Sequence, residues 1–226
     1  HPDRCKPWKR ASQERELLGW TAEKTDDQVA VRTEYRLPAG DRTVCQVVYQ
    51  VTGDGSVTMT QRLQPGDVNG EKLPEIPEVG MMLIMDEAYD QLEWYGYGPH
   101  ESYIDRKNSV RLGIYRGKVQ DQFIPYLRPQ ECGNKLGVRW ATIANEQGIG
   151  LAIIGHPTVE WNVLPYTPDQ LEACAHPHEL PKTGQTVVMI NYRQMGVGGD
   201  NSWGARTHPE FTLPPDRTYE YTFTIR

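Results

Sequence analysis

Apolar and polar residues alternate with a period of two along much of the chain. In residues 29–37 every second position is Val, Thr, Tyr or Leu, and most positions between them are charged. In residues 218–225 Tyr, Tyr, Phe and Ile alternate with polar residues in the same way. Because successive side chains of a strand point to opposite faces, this pattern predicts strands with one buried face. Strands are predicted over residues 29–37, 47–51, 57–63, 81–94, 109–116, 138–144, 149–155, 159–164, 186–193 and 218–225.

Helical signals are sparse. Residues 12–18 favour one or two helical turns, and Thr167 offers an N-cap to Pro168, which predicts a short helix over 168–174. Many short strands between glycine and proline turns, with so little helix, are typical of two packed antiparallel sheets. The proline-rich, acidic stretch 65–80 is interpreted as a long crossover between the sheets or along an edge rather than as a domain boundary, so the chain is predicted to form a single domain.

Composition and charge exclude several classes of function. The chain has 226 residues, with 24 Lys and Arg against 30 Asp and Glu, and a formal net charge of −6. An acidic chain without a basic run does not favour binding to nucleic acid or to an anionic membrane. No stretch approaches the roughly 20 apolar residues that span a bilayer. The sequence therefore predicts a soluble globular protein, with a cytoplasmic or periplasmic location left open.

The cysteines and histidines do not form a recognised metal motif. No C-x-x-C pair is present, so packing residues or free thiols are predicted at Cys5, Cys45, Cys132 and Cys174. His176 and His178, with Glu179 beside them, have a metal-like composition, but no further ligand lies at a recognised spacing. We therefore predict no metal ion and no cofactor in this chain.

Residues 94–107 (WYGYGPHESYIDRK) form the first of three segments that are dense in candidate chemistry. Their glycines and proline predict a defined turn after a strand. In a structural interpretation, Glu101 and Asp105 accept hydrogen bonds from turn amides and from Arg106, which locks the loop. In a catalytic interpretation, the same two carboxylates are a glycosidase pair, about 5 Å apart for retention or about 6.5–9.5 Å for inversion. We favour the structural interpretation.

Two further segments are equally dense in candidate chemistry. In residues 124–135 (IPYLRPQECGNK) the two prolines keep the backbone extended. Arg128 and Glu131 in this segment are close enough in the chain to pair. Residues 195–210 (MGVGGDNSWGARTHPE) are so rich in glycine that they predict a long ordered loop. The one large side chain of that loop, Trp203, either caps the core of the domain or offers its indole face to a ligand such as a sugar.

Together the three segments resemble the C-terminal domain of the large bacterial β-galactosidases, glycoside hydrolase family 2. They resemble, in order, the family's W-x-G-x-G-P-x-E-x-Y-x-D-R, P-Y-x-x-P-x-E-x-G and M-G-x-G-G-D-x-S-W blocks, and the match runs from about Trp8 to the end of the chain. The resemblance implies an all-β fold, a large antiparallel β supersandwich of the galactose mutarotase-like type, with one or two short helices.

The resemblance also implies what each motif residue does. In the family the catalytic glutamates and the magnesium and sodium ligands lie on a preceding (β/α)₈ barrel, which this chain does not contain. No catalytic residue is therefore expected here, and a structural role is implied for Glu101, Asp105, Arg106, Arg128 and Glu131. A substrate-binding role is implied for Trp203, as an apolar platform at the mouth of the barrel's active site, with Asp200 and Asn201 as further candidates.

One departure from the family concerns the start of the domain. The usual R-A-P-x-D-N-D opening is absent before Trp8, which implies that residues 1–226 lack the first strand or strands and expose a sheet edge. The implied function is that of a β-galactosidase C-terminal domain, inactive alone, whose galactoside substrate also contacts the absent barrel in a homo-oligomeric enzyme.

Two alternatives stay open. The chain is a stand-alone carbohydrate-binding module built around Trp203, or it is a mutarotase-like epimerase. The epimerase would need a histidine paired with a carboxylate as acid and base, and the candidates are His100, His156 and His208.

Overall fold

The computed structural model describes residues 3–201 and 203–226, and most of their regular structure is β-strand. The strands are β1 (Glu16–Lys24), β2 (Gln28–Arg36), β3 (Val44–Thr52), β4 (Val57–Gln64), β5 (Asp67–Val68), β6 (Glu71–Lys72), β7 (Glu78–Asp86), β8 (Gln91–Gly98), β9 (Arg111–Lys118), β10 (Lys135–Ala144), β11 (Gly150–Leu164), β12 (Gln185–Gln194) and β13 (Tyr219–Ile225). The described residues contain one α-helix, α1 (Pro168–Ala173), and short 3-10 turns at Lys6–Trp8, Val119–Gln122, Pro177–Glu179 and Pro209–Phe211.

Antiparallel pairing joins 11 of the strands into one hydrogen-bonded sheet. Its main path runs β1-β2-β3-β4-β13-β11-β10-β8-β9. The 15-residue strand β11 takes part twice, because Ile153 lies opposite Ile225 of β13 and Val163 lies opposite Val188 of β12. The second edge of β12 pairs with β7. The long strand therefore connects the main path to a shorter β12–β7 pair.

The β12–β7 pair lies over the main path and gives the fold two layers. Val188 and Ile190 of β12 belong to the same core cluster as Trp94 of β8 and Phe223 of β13. The Tyr221 hydroxyl of β13 donates to the Ile190 carbonyl at 2.8 Å, although the two strands are not neighbours in the sheet. The prediction of a large, antiparallel all-β sandwich with little helix is confirmed.

A second core cluster packs the N-terminal segment against the sheet. It contains Trp8, Cys45 of β3, Leu63 of β4 and Val79 of β7. The Trp8 indole N–H donates to the Pro74 carbonyl at 2.9 Å, so the polar atom of this buried ring is satisfied. The segment before β1 is thus part of the same fold.

Several predicted elements are wrong in detail. Residues 3–15 contain turns and no helix longer than the 3-10 turn at Lys6–Trp8, and β1 then begins inside the stretch 12–18, for which helical turns were predicted. The run 81–94 is divided between β7 and β8 by a turn, in which Tyr89 N–H donates to the Asp86 carbonyl. The runs 149–155 and 159–164 belong to the single strand β11.

Other predictions are confirmed. The helix α1 begins at Pro168, after Thr167, whose hydroxyl accepts a hydrogen bond from Gln170 N–H at 3.3 Å. The stretch 65–80 contains the short β5–β6 hairpin and carries the chain from β4 in the main path to β7 in the other layer. The four cysteines are free thiols.

The strand β1 lies at one end of the main path, and all nine of its residues are exposed. Its apolar side chains Leu17, Leu18 and Trp20 therefore face solvent. No helix among the described residues has the length and apolar character that crossing a membrane requires.

Candidate functional site

The glycine-rich segment forms an ordered loop after β12. At its base, Met195 N–H donates to the Pro77 carbonyl at 2.9 Å and Gly196 N–H donates to the Phe211 carbonyl at 2.7 Å. The Thr207 hydroxyl donates to the Gly196 carbonyl at 2.9 Å, and Thr207 is buried. These bonds close the base of the loop, so that the chain leaves and re-enters the fold at one place. We call residues 196–207 the tryptophan loop.

The tip of the tryptophan loop is held by Asn201. Its side-chain oxygen accepts hydrogen bonds from Trp203 N–H at 2.8 Å and from Ala205 N–H at 3.3 Å. A Cβ atom on Gly199 would overlap the Ala205 carbonyl, so only glycine lets the two arms of the loop approach so closely. The predicted candidate Asn201 therefore fixes the backbone that presents Trp203. Ser202, between them, lies outside the described residues.

The Trp203 side chain projects from this loop into solvent. The residue is 92% exposed, while Trp94 and Trp161 in the core are each 2% exposed. Of the two possibilities that the sequence left open, capping of the domain's own core does not occur among the described residues. The indole face is available to a ligand or to another part of the protein.

The first dense segment contacts the tryptophan loop through Asp105. A tight turn is closed by two reciprocal backbone bonds between Tyr103 and Arg106, at 3.0 and 2.9 Å. At the tip of this turn, the Asp105 Oδ2 atom accepts a hydrogen bond from Gly198 N–H at 2.8 Å. The structure thus joins two segments that are 93 residues apart in the sequence.

Glu101 joins the first dense segment to the second. One carboxylate oxygen accepts hydrogen bonds from the Arg106 guanidinium and the Tyr126 hydroxyl, and the other accepts from Gly133 N–H at 2.8 Å. The Glu101 side chain is only 10% exposed. Both of its oxygens are therefore engaged in holding the loops together.

Glu131 accepts hydrogen bonds from two buried donors. Its Oε1 atom lies 2.9 Å from the Tyr103 hydroxyl and 3.0 Å from Asn162 Nδ2, and both donor residues are 1% exposed. Burial, with a smaller contribution from the charge of Glu78, raises the pKa of Glu131 to about 8. Arg128 is exposed and Glu131 is bonded elsewhere, so the suggested Arg128–Glu131 pairing is wrong.

A second buried carboxyl lies in the same region. Glu160 is 5% exposed, and its Oε2 atom accepts from Asn134 Nδ2 at 3.1 Å and from Gln194 N–H at 3.0 Å. Burial raises the pKa of Glu160 to about 7. Sequence reasoning missed Glu160 and Asn162, although each interrupts an apolar strand, and a polar residue in a buried strand usually has a hydrogen-bond partner.

The predicted histidines differ in their surroundings. His208 Nε2 lies 2.9 Å from both carboxylate oxygens of Asp200, and these hydrogen bonds, with the charge of Asp200, raise the pKa of His208. The pair lies on the surface, with the side chains 47% and 78% exposed. His156 contacts the Thr224 hydroxyl at 2.9 Å and His100 is exposed. Among these three histidines, only His208 has a carboxylate partner in the described structure.

The metal-like cluster lies on a short turn after α1. His176, His178 and Glu179 are exposed, and one potential ligand atom from each lies within 4.8 Å of the others. His176 Nδ1 is 3.2 Å from Glu179 Oε1, so this carboxylate is paired with the imidazole. The prediction that this chain holds no metal stays a prediction.

A groove of about 820 Å³ lies beside the N-terminal segment. Its lining includes Arg4, Lys9, Arg10 and Lys72, but no residue of the three dense segments. The exposed face of Trp203 therefore does not line this groove.

Comparison with known proteins shows which family the chain belongs to. Residues 1–225 match the family model described as the beta galactosidase small chain. The chain belongs to the β-galactosidase small-chain family. This small-chain domain is 48% identical over 224 residues to a β-galactosidase of Priestia megaterium, covering 99% of this chain and 21% of the relative. It is 36% identical over 220 residues to a β-galactosidase of Lactobacillus delbrueckii subsp. bulgaricus, and this match covers 97% of this chain and 21% of the relative.

The small-chain domain spans about a fifth of the length of these curated relatives. Among solved structures it is similar to a galactose mutarotase related enzyme from Lactobacillus acidophilus. That match covers 92% of this chain and 70% of the other, at 8% identity and a TM-score of 0.38. The assignment of the fold class rests on the strands and layers described above.

Proposed function

We propose that this chain is the C-terminal domain of a β-galactosidase that hydrolyses terminal β-D-galactosides, and that bond cleavage takes place in another part of the polypeptide. Membership of the small-chain family supports this proposal, as does the match to about a fifth of relatives that are named β-galactosidases. The magnesium and sodium ions that the resemblance implies belong, in this proposal, to the absent barrel. The enzyme is proposed to act as a homo-oligomer.

The domain contributes one apolar wall of the sugar pocket through Trp203. The observation that carries this proposal is the 92% exposure of an indole on a loop whose backbone is fixed by hydrogen bonds. An exposed aromatic face gains free energy when an apolar surface covers it, and the C–H face of a sugar is such a surface. A platform of this kind improves binding and orientation of the substrate rather than bond breaking.

The hydrogen bonds of Glu101 and Asp105 favour structural rather than catalytic roles for these two carboxylates. A glycosidase needs two carboxyl groups free to face the scissile bond from opposite sides. Glu101 is bonded to Arg106, Tyr126 and Gly133, while Asp105 is bonded to the backbone of the tryptophan loop. The domain is therefore proposed to be inactive alone.

The first test measures turnover of a chromogenic β-galactoside by the purified 226-residue chain. The expected result is no hydrolysis above that of buffer, because the acid, base and nucleophile belong to the absent barrel. Hydrolysis that survives repeated purification and disappears in Glu101→Gln or Asp105→Asn would contradict the proposal.

The second test compares two exposed tryptophans in the full-length β-galactosidase. Trp203→Ala is expected to raise KM, because loss of one stacked aromatic costs about 1–3 kcal/mol of binding free energy. Trp20→Ala on β1 is the matched control, since Trp20 is also exposed, at 64%, but does not belong to the tryptophan loop. An unchanged KM for Trp203→Ala would remove this residue from the pocket.

The exposed indole also fits a second function, that of a stand-alone carbohydrate-binding module. The two functions differ in whether this chain needs the rest of the enzyme to bind sugar. Calorimetric titration of the isolated chain with lactose is expected to show no binding if Trp203 is one wall of a larger pocket. Saturable binding that is lost in Trp203→Ala would favour the module.

A further inference from the structure

The tryptophan loop must obtain its position from its backbone rather than from its largest side chain. Trp203 is 92% exposed, so packing of the indole against its own domain does little to hold it. A useful platform must nevertheless be ordered before the sugar arrives, because ordering a loop on binding reduces affinity. The residues that fix the loop backbone therefore determine how well Trp203 works.

We propose that Asp105 is a positioning residue for Trp203, and that its carboxylate clamps the tryptophan loop in its substrate-ready position. This inference rests on the proposed function of Trp203. It assigns to the aspartate of the first dense segment a role in substrate binding that is exerted through the backbone of the third.

The clamp begins with the contact between the Asp105 carboxylate and the loop. Asp105 Oδ2 accepts from Gly198 N–H at 2.8 Å. A Cβ atom built on Gly196 would lie 2.7 Å from the carboxyl carbon of Asp105, which is closer than real Cβ contacts come. The loop backbone therefore lies directly on the carboxylate, and glycine at position 196 makes this approach sterically possible.

The contact is transmitted along the loop to Trp203. Gly199, the residue after Gly198, packs against Ala205 on the opposite arm so closely that a side chain would not fit. Ala205 and Trp203 both donate backbone hydrogen bonds to Asn201. A shift of the backbone at Gly198 would therefore move both arms of the tip.

Asp105 is itself rigidly supported. Its turn is closed by the reciprocal bonds between Tyr103 and Arg106. Tyr103 is 1% exposed and its hydroxyl donates to Glu131, while Arg106 pairs with Glu101. A buried support such as Tyr103 holds a functional group more precisely than a flexible surface chain does.

The test is a double-mutant cycle in the full-length β-galactosidase. Asp105→Ala removes a charged acceptor from a backbone N–H, and we expect a rise in KM of about fivefold to tenfold, never exceeding the rise for Trp203→Ala. The decisive variant carries both changes, and its KM should equal that of Trp203→Ala alone, because a clamp has no effect once the indole is gone. Asp105→Asn keeps an acceptor oxygen and should restore most of the wild-type KM.

A matched control separates positioning from general loss of stability. The Asp86 carboxylate makes the same kind of bond, because it accepts from Ala88 N–H at 2.9 Å in the turn between β7 and β8. Asp86→Ala should leave KM unchanged. Additive effects of Asp105→Ala and Trp203→Ala would overturn the proposal, as would an unchanged KM in Asp105→Ala.

A second readout requires no sugar. Arg206 is an exposed residue of the tryptophan loop, so trypsin cleavage after it reports loop order. Asp105→Ala should accelerate this cleavage selectively, by about fivefold or more if the clamp bond carries the expected free energy, whereas Asp86→Ala should not. An unchanged rate of cleavage in Asp105→Ala would overturn the clamp. If cleavage of Asp105→Ala is faster but Trp203→Ala has the KM of the wild type, only the proposed role of Trp203 is contradicted.

Discussion

Replacing Glu131 with alanine removes the acceptor that two buried donors share. The Tyr103 hydroxyl and Asn162 Nδ2 lie 2.9 and 3.0 Å from the same carboxylate oxygen. Asn162 Nδ2 also donates to the Cys132 carbonyl at 2.7 Å and so keeps a partner, whereas Tyr103 loses the acceptor of its hydroxyl. Because an unsatisfied buried polar group costs about 1–3 kcal/mol, and the lost side chain leaves a void, Glu131→Ala should lower the free energy of unfolding by about 2–4 kcal/mol.

Glu131→Gln provides the matched comparison. It keeps the shape and an acceptor oxygen but cannot ionise, and it should cost less than about 1 kcal/mol at pH 5. Urea unfolding of the 226-residue chain, followed by circular dichroism, measures both variants. In the full-length enzyme, Glu131→Gln should keep the kcat of the wild type, because Glu131 does not touch substrate.

The pH dependence of unfolding adds an independent check. Burial raises the pKa of Glu131 to about 8 and that of Glu160 to about 7, so both carboxyls hold their protons in the folded chain at pH values where the unfolded chain has lost them. The contribution of these two carboxyls to stability should therefore fall as the pH rises from about 4.5 through 8, and then level off. The slope should be shallower in Glu131→Gln. A Glu131→Ala variant as stable as the wild type, or a stable Glu131→Gln variant that has lost kcat, would refute the structural role.

Two further predictions concern side chains near the surface. The hydrogen bonds and charge of Asp200 raise the pKa of His208, so the contact between them should weaken as the pH rises through that pKa and the imidazole loses its charge. An NMR titration should find a His208 pKa above 6.5 that returns towards this value in Asp200→Asn. Of the four thiols Cys174 is the least buried, whereas burial raises the pKa of Cys132 to about 12. Cys174 should therefore react first with a thiol reagent in the folded chain. Equally rapid modification of Cys132 would contradict this packing.

Strands with one buried face could be predicted from the sequence, whereas an edge strand exposed on both faces could not. In β8 half-buried and buried positions alternate without exception, and in its first half Leu92 and Trp94 take the buried positions next to the polar Glu93. In β1 every residue is exposed, so no burial imposes a period of two, and Leu17 and Leu18 stand next to each other. The helical turns predicted over 12–18 arose from this missing pattern.

The single strand β11 was predicted as two strands for a different reason. Pro157 lies between the predicted strands 149–155 and 159–164, and proline lacks the N–H that a central strand needs, so it predicts a break. The structure keeps both halves in one strand because the first half pairs with β10 and β13 and the second half pairs mainly with β12. Pairing between distant strands overrode the local signal.

The candidate site was only partly predictable. The dense segments and the choice of Trp203 as a candidate follow from local composition, whereas the exposure of the indole and the turn at Asp105 do not. The partner of Asp105, Gly198, is 93 residues away, and no local pattern links a carboxylate to one particular amide at that distance. The same limit explains the Arg128–Glu131 error, because the burial of Tyr103 and Asn162, which supply the partners of Glu131, is set by the tertiary fold.

The account depends most on contact between the substrate and the tryptophan loop. A photoreactive β-galactoside can be bound to the full-length enzyme, irradiated, and mapped by mass spectrometry, with excess galactose as the competitor that defines specific labelling. We expect specific labelling within residues 196–207, centred on Trp203, and none on β1, where Trp20 is also exposed. Efficient, competable labelling of the enzyme that spares residues 196–207 would contradict the account.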